Sequence, residues 1–237
     1  ILPAGSVEGV SLANNHSEDF GLIGYENTKA ALNDVGIAYA GNGETFMCET
    51  ARGLKVGVLC VAFYIDLDEM AEKIVSLKDR GAQLIIVSFH WGNELMYHPT
   101  DNQIKMGRLA VDAGADLVLG HHSHRIQPIE YYNGVYICYS LGNFCFAGNS
   151  KPSDMTSYLF QTRFRVRGEG EEQQITNEGF IIIPIRISSR ADKNDFIPTV
   201  LTKESTIDSI MNTLRENGRK HCEYAVDEYP LAWPTTK

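Results

Sequence analysis

The sequence predicts a mixed α/β protein built around one sizeable core. In the first half, short apolar runs alternate with stretches whose apolar residues recur at helical spacing. In the second half, an Asn-Gly turn and two longer β segments replace that alternation. The chain has 237 residues, of which 43% are hydrophobic, and this is enough for one large α/β domain.

The first half follows a β-α-β pattern. Short apolar runs predict strands at 9–13, 37–41, 83–90 and 116–120, and residues 46–64 predict two strands around a turn at Arg52 and Gly53. Helical periodicity with stop glycines predicts helices at 22–35, 66–81 and 100–113. Asp66 with Glu69, and Thr100 with Gln103, have the spacing of helix-capping pairs.

The second half is expected to be largely antiparallel. Asn133 and Gly134 predict a tight hairpin turn, and β segments follow at 157–167 and 178–189. The polar stretch between these two segments is expected to be an exposed loop. Ile207, Ile210, Met211 and Leu214 mark a last amphipathic helix. We therefore predict one domain over residues 1–200, followed by a C-terminal helix and tail over 201–237.

Composition limits the classes of partner. The net charge of −9 is spread over many short stretches, which argues against nucleic acid or an anionic membrane surface as the main partner. No apolar run approaches the ~18 residues of a membrane span, so no transmembrane segment is expected in this chain. The first residues lack the pattern of a signal peptide, and we expect further sequence upstream of Ile1.

Polar side chains follow three of the predicted strands. Five of the seven histidines lie at strand ends, and only His98 and His221 do not. In an open α/β sheet, ligands bind outside the carboxyl ends of the strands, so these clusters predict a ligand site. The strand-end residues are Asn14, Asn15, His16, His90, Glu94, His121, His122 and His124.

Each cluster also has a simpler interpretation. A single histidine at a strand end is commonly a hydrogen-bonded loop residue, Asn14 and Asn15 could stabilise a turn, and Glu94 could be a solvated charge. Taken together at one edge of one sheet, the clusters favour a metal site. Imidazole with amide and carboxylate oxygen suits Zn, Mn or Fe, so one of these divalent metals is the expected cofactor.

Four motifs resemble the CapA family of capsule and poly-γ-glutamate biosynthesis proteins. They are "SLANNHSEDFG", "SFHWGNE", "GADLVLGHHSHRIQPIE" and "YSLGNFCF", and the resemblance runs from about residue 5 to about residue 148. It implies a metallophosphatase-like (calcineurin-like) layered β-sandwich flanked by helices. Such proteins also place an aspartate on a first strand and a bridging acid after it. Neither motif is found in this chain, which implies that the N-terminal strand or strands are missing and that the chain holds at most one metal, weakly.

The resemblance also implies roles for individual residues. His16 is the expected general acid, and Glu94 is a second catalytic candidate. The implied metal ligands are Asn15, His90, His122 and His124, with His121 as a third candidate beside the last two. The implied substrate-binding residues are Asn14, Trp91 and Asn143, although core packing is the alternative for Trp91, Phe144 and Phe146. If these roles hold, Asn15, His16, His90, His122 and His124 converge in one pocket.

Two functions from different classes follow. The first is metal-dependent hydrolase or transferase chemistry on an anionic γ-glutamyl polymer, another cell-envelope polymer or a small-molecule substrate. The alternative is a non-catalytic accessory subunit of a polymer synthase or export complex that binds the anionic polymer. In either case the expected partners include membrane proteins of polymer synthesis or export. The expected location of the full-length protein is extracytoplasmic and membrane-associated, with the cytoplasm as the alternative.

Overall fold

The computed structural model describes residues 2–168 and 174–234. The chain divides into two compact units. The first consists of Ile1–Trp91 with Met106–Gly120, and the second consists of Gly92–Lys105 with His121–Lys237. The predicted division at residue 200 follows a different line and stays a prediction.

The first unit combines helices with parallel and antiparallel strand pairs, which confirms the α/β class predicted for this half. Strand β1 pairs in parallel with β2, while β3 pairs antiparallel with β4, and β4 pairs in parallel with β5, beside which β6 lies. These elements are β1 (Gly9–Ser11), α1 (Gly21–Asp34), β2 (Ala38–Ala40), β3 (Glu44–Glu49), β4 (Lys55–Ala62), α2 (Leu67–Asp79), β5 (Leu84–His90) and β6 (Leu117–His121).

Local sequence explains where the helices begin. The Asp66 side chain accepts hydrogen bonds from the backbone N–H groups of Asp68 and Glu69, so α2 has the N-cap that the sequence predicts. Helix α3 (Asp101–Asp112) begins with a reciprocal pair: Thr100 N donates to Gln103 Oε1 at 2.9 Å, and Gln103 N donates to Thr100 Oγ1 at 3.3 Å. This is the geometry of a capping box.

The second unit contains antiparallel strands and the C-terminal helix. Asn133 and Gly134 have φ of 48° and 84°, as a two-residue type I′ hairpin turn requires, and they join β7 to β8. A further sheet has the strand order β11-β10-β9. The elements are β7 (Ile129–Tyr132), β8 (Val135–Cys138), β9 (Thr156–Arg167), β10 (Gln174–Arg186), β11 (Thr199–Val200) and α4 (Glu204–His221).

The prediction of an exposed loop between β9 and β10 is wrong for the second half of that segment. Strand β10 already begins at Gln174, which pairs with Arg167. Exposed and half-buried residues alternate at this end of the strand, so its sequence is polar even though its backbone is paired. The pairing shifts register between Asn177 and Phe180, beside Gly179 at φ 106°. The part of the predicted loop at 169–173 lies outside the described residues.

Each unit has its own buried apolar residues. In the first unit, Leu59, Val61, Ile74 and Val87 are fully buried. In the second unit, Ile210, Met211 and Leu214 of α4 are buried, which confirms the amphipathic helix. Within the described residues, no helix is both long and apolar enough to span a membrane.

Candidate functional site

The turn after β1 presents Asn15 and His16. Asn14 Oδ1 accepts a hydrogen bond from His16 N at 2.8 Å, and Ser17 Oγ donates to the carbonyls of Leu12 and Asn14. The Asn14 side chain therefore stabilises the turn, as the simpler interpretation of this residue proposed. Its role in substrate binding stays a prediction.

Four side chains of the first unit form one hydrogen-bonded chain. His90 Nε2 lies 2.8 Å from Asn15 Oδ1, and Asn15 Nδ2 lies 3.2 Å from His16 Nε2. On the far side of the ring, His16 Nδ1 lies 2.9 Å from Asp19 Oδ2. Of the five side chains expected to converge, the structure thus brings Asn15, His16 and His90 together within this unit.

A single proton arrangement satisfies this chain. The Asn15 amide nitrogen is a donor, so His16 Nε2 accepts and the His16 proton is on Nδ1, where it is donated to the Asp19 carboxylate. The Asn15 carbonyl oxygen is an acceptor, so His90 donates from Nε2. His16 therefore presents its basic atom, Nε2, on the Asn15 side.

Asp19 was missed by the sequence reasoning. The available signal was its position three residues after His16 in "NNHSED", which places both side chains on one turn. The side chains of His16 and Asp19 are 61% and 54% exposed, so the pair is accessible to a substrate in solution.

His90 ends β5 and is flanked by aromatic rings. The Phe63 ring meets the His90 ring edge-on, with centroids 5.9 Å apart, and Phe63 N donates to the His90 carbonyl at 2.7 Å. Trp91, the next residue, is 2% exposed and stacks on Phe89 with centroids 4.1 Å apart. These surroundings match the core-packing alternative for Trp91, and its role in substrate binding stays a prediction.

The second unit contains another imidazole group. His124 Nδ1 lies 2.8 Å from Asn143 Oδ1, so the ring donates from Nδ1, and the neutral ring has its lone pair on Nε2. The Phe146 ring lies 5.1 Å from the His124 ring, and the His122 ring lies 6.4 Å from it. Asn143 thus holds His124 in the tautomer that a metal ligand or a base needs.

His121 is the third imidazole of this segment. Burial lowers the pKa of the His121 ring to about 4, because a low-dielectric environment disfavours the charged form. The ring is therefore neutral near pH 7, as a metal ligand must be. Which of His121, His122 and His124 bind a metal stays a prediction.

A buried amide network fixes the segment that carries Glu94. Gln103 Nε2 donates to Gln127 Oε1 at 3.0 Å, and Gln127 Nε2 donates to the carbonyls of Met96 and His98. Leu95 N also donates to the Ser123 carbonyl at 2.7 Å. The Glu94 side chain itself is exposed, and its catalytic role stays a prediction.

The Asn15–His90 pair fits a divalent cation in donor type and separation. Two ligand atoms about 2.1 Å from one cation and at right angles to each other lie about 3 Å apart. The observed 2.8 Å between Asn15 Oδ1 and His90 Nε2 is close to that value. Among residues 2–168 and 174–234, no three His, Cys, Asp or Glu side chains are grouped so that they could hold a metal ion.

The candidate residues fall in both units. Asn15, His16, His90 and Asp19 belong to the first unit, while His124 and Asn143 belong to the second, as do His121, His122 and Glu94. The convergence of Asn15, His16, His90, His122 and His124 on one pocket therefore stays a prediction.

Comparison with known proteins identifies relatives of this chain. The PGA biosynthesis protein CapA of Bacillus subtilis (strain 168) is 30% identical over 216 residues, which cover 81% of this chain and 56% of that protein. A probable polyglutamine synthesis accessory protein of Mycobacterium tuberculosis is 30% identical over 166 residues, which cover 56% of this chain and 43% of that protein. The chain thus spans about half the length of these relatives.

One solved structure shows a distant likeness. The 5′-nucleotidase precursor from Thermus thermophilus is 11% identical, with a TM-score of 0.43 over 92% of this chain and 44% of that chain. This likeness is too weak to support an argument about function.

The family assignment rests on the first part of the chain. Residues 1–148 match the family described as "Bacterial capsule synthesis protein PGA_cap", and they include all four motifs quoted above. The resemblance to the CapA family is thereby confirmed. The chain belongs to the bacterial capsule synthesis protein family PGA_cap.

Proposed function

We propose that this chain carries the reactive part of a protein of capsule or poly-γ-glutamate biosynthesis, and that it performs metal-dependent hydrolysis or group transfer. The family match and the names of the relatives support the biological setting. The chemical part rests on one observation, the hydrogen-bonded chain of Asp19, His16, Asn15 and His90. The substrate class is an anionic γ-glutamyl polymer, another cell-envelope polymer or a small molecule.

Asn15 and His90 are the residues that would hold a divalent cation in the first unit. Asn15 Oδ1 and His90 Nε2 would exchange their mutual hydrogen bond for the cation, and His90 would then carry its proton on Nδ1. In the second unit, His124 offers Nε2 as a ligand atom in the same way. A bound Mn, Zn or Fe ion would activate water near neutral pH and polarise a phosphoryl or acyl oxygen.

His16 is the residue that would move a proton. Among the described residues, His16 Nε2 accepts one hydrogen bond, from Asn15 at 3.2 Å, so this atom can take a proton from a nucleophile or return one to a leaving group. Asp19 keeps the other ring proton on Nδ1 and fixes the orientation of the ring. Asp19 acts through His16 and is therefore a positioning residue.

The test distinguishes a metal-ligand residue from a proton-carrying residue in the full-length protein. The variants are His90→Ala and His16→Ala, with His221→Ala on α4 as the control because that ring lies outside the cluster. Elemental analysis reports bound metal, and hydrolysis of bis(p-nitrophenyl) phosphate and of a γ-glutamyl anilide reports turnover.

We expect His90→Ala to lose metal. His16→Ala should keep the metal and lose turnover by about 10²- to 10⁴-fold, the usual contribution of general acid–base catalysis. Equal metal loss in both variants would show that His16 is a ligand rather than a proton carrier. Wild-type turnover in His16→Ala would overturn the mechanism.

A second candidate function is a non-catalytic accessory that binds the anionic polymer. It is favoured by an arginine-rich edge of β9, on which Arg163, Arg165 and Arg167 occupy alternate exposed positions of one face. Arg163 stacks over the Trp233 ring at 3.9 Å, and Arg165 pairs with Glu178. The name of the mycobacterial relative as an accessory protein agrees with this role.

The spacing of these arginines suits a chain of carboxylates. Alternate residues of a strand lie about 7 Å apart, so three guanidinium groups repeat along one direction. The partners expected for such an accessory are membrane proteins of polymer synthesis or export, on the extracytoplasmic side of the membrane.

Binding of poly-γ-glutamate to the full-length protein tests this candidate. Changing all three β9 arginines to Gln should abolish salt-sensitive binding, whereas the same change at three other exposed arginines should not. If both variants lost binding equally, net charge rather than the β9 edge would account for binding. The control positions are Arg80, Arg190 and Arg219.

A further inference from the structure

The second unit contains a cavity that the proposed chemistry does not use. It measures about 520 Å³ and lies between residues 95–98, the start of β9 and one side of α4. Leu95, Met96 and Ile210 supply its apolar lining. None of the residues proposed above as metal ligands or proton carriers lines it.

Several polar groups of this cavity donate hydrogen bonds within the protein. Tyr97 Oη donates to Asp154 Oδ2 at 2.6 Å, and burial together with that carboxylate raises the pKa of Tyr97 to about 12, so the hydroxyl keeps its proton. Asn217 Nδ2 donates to the Thr213 carbonyl at 2.8 Å, and Thr213 Oγ1 donates to the Ser209 carbonyl at 2.9 Å. The acceptors that the lining offers a ligand are Asn217 Oδ1 and the carboxylates of Asp154 and Glu216.

The permanent charges of the lining are negative, and His98 adds an imidazole. Asp154 and Glu216 contribute carboxylates, and no lysine or arginine is among the described residues that line the cavity. The nearby Arg125 guanidinium packs on the Tyr97 ring at 5.6 Å, but its nitrogens donate to Ser153 Oγ and to the His124 carbonyl. Glu216 is exposed, and within the described part of the chain it has neither an ion pair nor a hydrogen bond through its side chain.

We infer that this cavity binds a primary amine, with its ammonium group at the Glu216 side and its aliphatic stem against Leu95, Met96 and Ile210. An ammonium group brings three N–H donors and a positive charge, and these complement the acceptors and carboxylates of the lining. A carboxylate or phosphate ligand would instead meet the like charge of Asp154 and Glu216. This binding function goes beyond the chemistry proposed for the histidine cluster and does not depend on it.

The experiment uses the full-length protein and three six-carbon probes with different head groups. They are hexylamine, hexan-1-ol and hexanoate, each titrated by calorimetry at pH 7. Two variants accompany the wild type: Glu216→Gln removes the exposed carboxylate from the cavity, and Glu204→Gln removes one from the first turn of α4, outside the cavity.

Hexylamine should bind at least about tenfold more tightly than hexanol, and hexanoate should show no binding. Glu216→Gln should weaken hexylamine at least about tenfold, since it removes the charge partner, while Glu204→Gln should leave its affinity unchanged. The inference is overturned by hexanoate affinity that equals or exceeds that of hexylamine. It is equally overturned if hexylamine does not bind, or if both variants weaken it alike.

Discussion

Replacing Asp19 by Ala tests whether this carboxylate positions His16. The substitution removes the acceptor 2.9 Å from His16 Nδ1, so the ring is no longer held with its proton on that atom. Outer-shell partners of this kind typically change activity by about 10- to 100-fold, which corresponds to about 1.4 to 2.7 kcal/mol of transition-state stabilisation. The effect on folding should be small because both side chains are more than half exposed. An exposed contact of this kind contributes about 0 to 1 kcal/mol, or at most about 4 °C in Tm for a chain of this size.

Two measurements together decide the role of Asp19. Nitrogen-15 NMR of the histidine rings should show His16 protonated on Nδ1 in the wild type, and a smaller Nδ1–H fraction in Asp19→Ala. Turnover in the full-length protein should fall with it, whereas the neighbouring substitution Glu18→Gln should change neither. An unchanged tautomer would refute the positioning role. A fall in Tm well above about 4 °C would show that Asp19 mainly supports the fold.

The remaining predictions concern the second unit. Asn143→Ala removes the acceptor of the His124 Nδ1 proton, so metal affinity should fall about tenfold in a competitive chelator titration; unchanged affinity would mean that His124 does not bind metal. Gly92→Ala should lower the free energy of unfolding by at least about 2 kcal/mol in urea, because φ is 80° and the new Cβ would lie 2.3 Å from Gln103 Oε1. Gly36→Ala is the control, since φ is 70° there but nothing lies within 4 Å, so an equal loss in both variants would exclude the clash.

Local signals in the sequence predicted most of the elements. Asp66 and Thr100 each determine a helix start through hydrogen bonds within three residues, and the Asn133–Gly134 turn fixes the hairpin in the same local way. The start of β10 was missed because Gln174 pairs with Arg167 across the sheet, and a solvent-exposed strand end carries no apolar pattern. Backbone pairing between distant residues decides such a segment, and periodicity does not report it.

The candidate site was only partly visible in the sequence. Strand ends and motif resemblance pointed to Asn15, His16 and His90, because the carboxyl ends of neighbouring strands carry the ligand-binding loops. The Asp19 contact was not visible, since a carboxylate in a polar turn looks like a solvated charge until its distance to a ring is known. The hydrogen bond from Gln103 to Gln127 could not be predicted for a related reason. The capping role of Gln103 is local, whereas Gln127 lies 24 residues away in the sequence.

The backbone conformation of His122 and His124 lowers the stability of this segment. Their φ values are 92° and 54°, in the left-handed region that side chains other than glycine enter at a cost of about 1 to 3 kcal/mol. Glycine at position 122 would remove that cost together with the imidazole. Selection or engineering for thermostability alone would therefore tend to replace His122, and its presence is best explained by a benefit that a stability assay does not measure.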